Sequence, residues 1–351
     1  MKRVLIVRLD AIGDYILWRN CLRFLRRSAR YRDARLTVFG NPAWRNLAET
    51  FDADCADEWL WADNRDSLFR RGYENILPSF IWHRRVSAAQ TREKRRLAAR
   101  GFDEVLAPCA FPDALLDEFV AGLAPTTIGV VNGETARTKI YTHLVDAGTS
   151  PFVFLRNRAI ASAMTGETCA VPFELKRPDV PQTNDILFFN GASHWTRRWP
   201  HRRWRELAAR LPSGFRATEV PKGGSLADFV RLAASCAAVV SNDTMALHAA
   251  AALGLPAVGI VNGVSGRGAF WPYPDEIGRH VSICAPAKVP RIPIPLLGPR
   301  LAQYLALSSV AAPDVAKALA GLTSGLAEHS SAIKSGEAIK SGAVVKSGEA
   351  S

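Results

Sequence analysis

The run Val4-Leu5-Ile6-Val7 narrows the folds open to this chain more than any other stretch. It is wholly apolar, mostly β-branched and free of polar alternation, which marks a strand buried on both faces of a parallel sheet. A loop follows at once, Arg8-Leu9-Asp10-Ala11-Ile12-Gly13-Asp14. Gly13 permits backbone geometry that a β-carbon resists, and Asp14 stands where a helix begins, at an N-cap or in the first turn. In an open α/β sheet, ligands bind in the crevice beyond the carboxyl ends of the strands. Asp14 therefore carries two readings, a helix cap and a functional carboxylate.

The alternation continues along the chain. A helix is expected over residues 15–30, a strand over 35–40, and a helix from Asn41-Pro42 through Leu47. Strands at 101–108 and 127–132 bracket a helix at 112–122, and another helix covers 152–165. Pro172, Pro178 and Pro181 then punctuate a polar segment, read as a linker over residues 171–183. A second series follows, with strands at 185–190, 237–241 and 256–261 and helices at 204–211, 226–234 and 245–253. The expected architecture is α/β, with two Rossmann-like doubly wound parallel-sheet domains, residues 1–170 and 184–328, facing a central cleft. A chain of 351 residues is long enough for each to bury a core. From Ile333 a hexapeptide, Ile-Lys-Ser-Gly-Glu-Ala, recurs with small changes. Three copies are too few to stack as a solenoid, so residues 329–351 read as a disordered tail.

Composition excludes several classes. The chain is 48% hydrophobic and 22% charged, and its longest apolar stretch, Ala246 to Val261, contains His248, Gly254 and Pro256 and is too short to span a bilayer. No transmembrane helix is expected, nor a secretory signal at the start, where Arg8 and Asp10 interrupt the apolar run. Six scattered cysteines without a C-x-x-C pair point to reduced thiols in a cytoplasm and to neither zinc nor disulfides. The net charge of +12 calls for an acidic partner: nucleic acid, an anionic membrane surface or an acidic substrate. Ten basic residues lie between Arg65 and Arg100, Arg84 and Arg85 among them, with few acids beside them. Nucleic acid is disfavoured because aromatic stacking residues are not interleaved with this run.

Two later loops suit phosphate. Asn190-Gly191-Ala192-Ser193-His194-Trp195-Thr196-Arg197-Arg198-Trp199-Pro200 follows a strand and offers N–H groups, a hydroxyl and two guanidinium forks. Ser241-Asn242-Asp243-Thr244 follows another strand and opens a helix carrying His248, so its unpaired N–H groups and dipole favour an anion. Against this stand an ordinary cap at Asp243 and Thr244 and a core role for His248. There is no P-loop, no G-x-S-x-G and no H-E-x-x-H, and the glycines at 263, 266 and 268 lack dinucleotide spacing.

Taken in order, these three loops resemble the heptosyltransferase family of lipopolysaccharide core assembly, over about residues 1 to 265. The strand ending in Gly13-Asp14, then Gly191-Ala192-Ser193 with Arg197-Arg198-Trp199-Pro200, then Asn242-Asp243-Thr244 with His248 and Ala251-Ala252-Leu253-Gly254 carry the likeness. The resemblance implies the GT-B fold and an inverting, metal-independent transfer of heptose from a nucleoside diphosphate, ADP-heptose first, with no cofactor. Asp14 would be the catalytic base. Ser193, Arg197, Arg198, Asp243, Thr244 and His248 would bind the donor, an arginine replacing a divalent metal. Asp10, Arg65, Arg84 and Arg85 would bind an anionic lipid-linked or glycan acceptor at the cytoplasmic face of the inner membrane. The chain departs from the pattern at Met245, where the family has Gly, and between Leu211 and Val220, a short segment expected to lack the family's Gly-rich strand and acidic loop, with Glu219 as a substitute acid. Two other classes share the outline: a GT-B nucleotide-sugar epimerase and a non-catalytic glycan-binding protein.

Overall fold

The computed structural model of the protein describes residues 1–63, 79–110, 114–131, 140–262, 280–285 and 298–335. In the N-terminal half, β1 (Arg3–Arg8), β2 (Arg35–Gly40), β3 (Glu58–Trp61), β4 (Glu104–Leu106), β5 (Thr126–Val130) and β6 (His143–Val145) form one sheet in the order β3-β2-β1-β4-β5-β6. Every pairing is parallel, with Val4 of β1 opposite both Leu36 and Glu104. Among the described residues this half also holds helices α1 (Ile12–Ile16), α2 (Arg19–Arg27), α3 (Arg45–Phe51), α4 (Ser79–Ala98), α5 (Ala114–Val120) and α6 (Val153–Thr165). β1 is central, and Val4 to Val7 are fully buried, as an apolar run without alternation requires.

The second half interleaves β7 (Asp185–Phe189), α7 (His201–Ala208), β8 (Arg216–Glu219), α8 (Leu226–Ser235), β9 (Ala238–Asn242), α9 (Met245–Ala252), β10 (Ala257–Val261) and β11 (His280–Cys284), then α10 (Gly298–Ser308) and α11 (Ala312–Ser335). Its sheet runs β11-β10-β9-β7-β8, again all parallel. Both sheets reverse direction of growth beside their first strand, at β1/β4 and at β7/β9. Such reversals open a crevice at the strand ends, and the loops after β1, β7 and β9 all lie there.

The two halves share a core. One buried cluster includes Ile16 and Leu17, Phe154 of α6, and Ala246 and Leu247 of α9. Residues 166–184 form an irregular strap between the halves. On the N-terminal side, Arg19 Nη1 and Asn20 Nδ2 donate to the Glu174 carbonyl at 2.7 and 2.8 Å. On the other side, Leu175 N donates to the Ala252 carbonyl at 2.7 Å, and Gln182 Nε2 to that of Ala234 at 2.9 Å. The expected linker is thus an ordered strap.

Several expectations need correction. The helix over 15–30 is two helices, because the buried Asn157 side chain donates to the Leu17 carbonyl at 2.9 Å and takes it from the helical ladder. Pro200 starts α7 at His201, ahead of the expected 204. The short segment between Leu211 and Val220, expected to lack a Gly-rich strand, nonetheless holds β8, an exposed edge strand without glycine that pairs with β7 from Asp185↔Arg216. α11 runs through Ser335, into the expected tail, whose remainder lies outside the described residues. No single helix among the described residues is long and apolar enough to cross a membrane. The bent pair Arg300–Ser308 and Ala312–Ser324 passes that test jointly, but it packs Ala306, Leu307, Val315 and Leu319 into the second domain's core.

Candidate functional site

The loop after β1 is shaped by a buried cation. Arg8, 2% exposed at the last position of β1, forks onto Asp10, with Nε to Oδ1 at 3.0 Å and Nη2 to Oδ2 at 2.8 Å. It also donates to the Pro108 and Asp14 carbonyls and lies 5.1 Å from the Trp18 ring. Asn41 Nδ2 and Trp44 Nε1 donate to the Asp10 carbonyl at 3.0 and 3.3 Å, fixing the loop from β2's end. Trp44 stacks on Tyr15 at 4.1 Å, and Tyr15 in turn donates to Asp52, which Arg19 also holds. The loop is therefore anchored by Arg8 from β1 and by Asn41 and Trp44 from the end of β2.

Asp14 occupies the third position of α1, whose N-cap is Ala11, and its Oδ2 accepts from Ala11 N at 3.2 Å. The capping reading is correct and does not exhaust the residue. Burial, reinforced by the Asp10 carboxylate and opposed by Arg8, pushes the Asp14 carboxyl from 3.8 to about 7. A helix cap alone favours the charged form and would lower it. Asp10 is also raised by burial, against the pull of Arg8.

The opposite wall comes from the second domain. A β-carbon built on Gly13 would stand 2.8 Å from His248 Cδ2, so α1 meets α9 with no room for a side chain. His248 is 6% exposed, and burial, with His280, pushes it down to about 3, so the imidazole is neutral. The structure puts it at the domain junction, beside the residue preceding Asp14.

Four residues before His248, Thr244 caps α9, accepting from Ala246 N at 3.3 Å and sharing a hydrogen bond with Ser241 Oγ at 3.0 Å. Asn242, fully buried, ties this loop to the one after β7. Its Nδ2 donates to the Asn190 carbonyl at 2.8 Å, and its Oδ1 accepts from Trp199 N at 3.0 Å. Across that tie, Arg197 donates to Ser193 Oγ and, at 3.3 Å, to the Asp243 carbonyl. Its Nη1 lies 3.9 Å from Asp243 Oδ2, and burial raises the Asp243 carboxyl against that cation. Ser193, Arg197, Asp243 and Thr244 are thus one group. Arg198 is not part of it: its guanidinium donates to the Ala192 carbonyl at 3.0 and 3.2 Å. Glu219, at the end of β8, accepts from Asn190 Nδ2 at 3.3 Å, which sets an acid beside this group.

The basic run is only partly described. Arg65 and the side chains of Arg84 and Arg85, on α4, lie outside the described residues. Of the others, Arg96 pairs with Glu93 at 2.7 Å, Arg92 and Arg96 face Asp63, and Arg100 pairs with Glu58. The acids missing beside the run arrive from β3 and its end, so its cationic density is lower than the sequence implied. Among the described residues no three His, Cys, Asp or Glu side chains gather as metal ligands would.

Sequence reasoning named Asp14, Ser193, Arg197, Asp243 and Thr244, which the fold places at the strand-end crevice, but passed over Arg8 and Asn242. A cation closing a wholly buried strand was the available signal for Arg8. Asn242 stood in the Asn242-Asp243-Thr244 run, but its tying role was not legible there because its partners lie far along the chain.

No protein-family model matches this chain, and no curated protein is similar to it in sequence. Solved structures are similar in fold. An E. coli heptosyltransferase WaaC with ADP aligns at TM-score 0.63 and 16% identity, covering 91% of this chain and 99% of that one. The glycosyltransferase family 9 protein of Veillonella parvula aligns at 0.62 and 16%, covering 92% and 97%. E. coli ADP-heptose LPS heptosyltransferase II aligns at 0.59 and 18%, covering 94% and 100%. At these identities the likeness establishes the GT-B fold.

Proposed function

We propose that this chain is an inverting glycosyltransferase that moves a heptose from a nucleoside diphosphate, ADP-heptose, to an anionic lipopolysaccharide-type glycan. The observation that carries the reading is the junction of α1 and α9. It brings a carboxylate with a pKa of about 7 close to a loop whose N–H groups, hydroxyls and guanidinium suit a diphosphate. The named fold neighbours, one holding ADP, support the donor class.

In this reading the acceptor hydroxyl attacks the anomeric carbon while Asp14 takes its proton. The bond from that carbon to the phosphate oxygen breaks, and the nucleoside diphosphate leaves with the electron pair. Ser193, Arg197, Thr244 and the first N–H groups of α9 stabilise the charge that develops on it. Asp243 orients Arg197, and Asp10 sets the charge state of Asp14. Arg197 supplies the positive charge that a divalent metal would otherwise provide. The acceptor would approach over the N-terminal domain, from the cytoplasmic face of a membrane.

Asp14→Asn is expected to lower kcat about 10²- to 10⁴-fold, the range for losing a general base, with ADP binding retained. A loss smaller than about threefold would remove Asp14 from the role. Product analysis with ADP-heptose, a truncated lipid acceptor and EDTA tests donor, acceptor and metal independence together. Release of a free epimerised sugar nucleotide without acceptor would favour the epimerase.

A further inference from the structure

Arg197 closes a short 3-10 turn, Trp195–Arg197, and Arg198 leaves it in extended backbone. Their guanidinium groups part at that point. Arg197 turns to Ser193 and Asp243, whereas Arg198 lines a separate cavity of about 420 Å³ that none of Ser193, Arg197, Asp243 and Thr244 borders. Trp195, Tyr304, Asn190, His201 and Trp204 supply much of the remaining wall. The volume falls in the range of small-ligand sites, about 300–1,000 Å³.

The lining has a definite chemistry. The rings of Trp195 and Tyr304 lie 5.5 Å apart and are tilted by 54°. At that spacing they touch each other, so a flat base has no slot between them. Trp195 is nevertheless 37% exposed, so part of the indole stays open at the cavity wall. A pyranose fits such a ring, laying one C–H face on it and turning its hydroxyls to the Asn190 amide and the His201 imidazole. Trp204, 2% exposed, contributes a buried part of the wall.

The site is also cationic. Arg198 commits Nε and Nη2 to one carbonyl, and its Nη1 makes no hydrogen bond to the described residues. Nearby His194 is pushed below its ordinary value by burial and then by Arg300, Arg197 and Arg198. We propose that this cavity is a second carbohydrate site that binds a sugar bearing an acidic group, with the ring on Trp195 and the acid on Arg198. The inference does not depend on the transfer reaction.

The test is titration of the full chain with methyl β-glucuronoside, followed by calorimetry, with and without saturating ADP. Saturable binding that persists in ADP is expected, stronger than that of methyl β-glucoside. Arg198→Gln is expected to weaken the glucuronoside about tenfold and to leave the glucoside unchanged, as loss of one charge-assisted contact implies. Trp195→Ala is expected to weaken both sugars, Trp195→Phe to restore them, and neither to alter thermal stabilisation by ADP. Absence of saturable binding, complete displacement by ADP, or equal affinity across the variants would overturn the proposal. Absence of any ADP response would instead count against the transferase reading, and the glucuronoside titration would still decide this one.

Discussion

Asp14 and Asp10 show how two carboxylates close in sequence acquire different surroundings. Arg8 holds Asp10 in a buried fork, while Asp14 keeps only a backbone donor and is raised to about 7. Activity that needs charged Asp14 should climb with pH to a plateau, with its midpoint near 7. Asp10→Asn removes a negative neighbour, so the midpoint of kcat against pH is expected to move lower. A rise in acceptor KM with the midpoint unmoved would make Asp10 an acceptor contact. The same shift has a consequence for stability. A carboxyl raised on folding stabilises the native state below its unfolded value of 3.8, and that contribution is lost as pH climbs through 7. Asp14→Asn is therefore expected to melt above wild type at pH 8, with the advantage shrinking toward pH 4, as calorimetry at the two pH values would show. A site residue that costs stability in its working form is a common trade-off.

Among the elements, those buried on both faces were legible. β1, β2, β7, β9 and β10 are apolar runs that only a parallel interior strand explains. Edge strands were not: β8 reads Arg-Ala-Thr-Glu and is mostly exposed, so neither hydrophobicity nor alternation marks it. The break between α1 and α2 was hidden because its cause, Asn157, arrives from α6. The phosphate-suited loops were legible as strand ends, but the tie through Asn242 was not, since it depends on β7 and β9 being neighbours. The contact of α1 with α9 was equally out of reach. It gives a test of the junction: Gly13→Ala should force the His248 ring aside, cost about 1–3 kcal/mol and depress kcat. His248→Ala opens the space, so the double variant should recover part of that loss. Additive losses in melting temperature and rate would show that the two residues do not oppose each other.

At the scale of the whole molecule, charge and connection matter more than any single contact. The chain carries +12, yet Glu58, Asp63 and Glu93 neutralise part of its densest basic run. In the proposed reaction the remaining field steers an anionic acceptor, so acceptor kcat/KM is expected to fall steeply between low and physiological salt. Donor KM, set by short hydrogen bonds in a cradle, should change less. Equal salt dependence for both substrates would argue against long-range attraction of the acceptor. The strap brings a mechanical consequence. Glu174 C=O and Leu175 N–H belong to the same peptide group, and the first is gripped by Arg19 and Asn20 while the second is gripped by the Ala252 carbonyl. Each domain thus holds one edge of a single rigid plane. The strap therefore joins the two halves through one peptide unit, beside the core that they share.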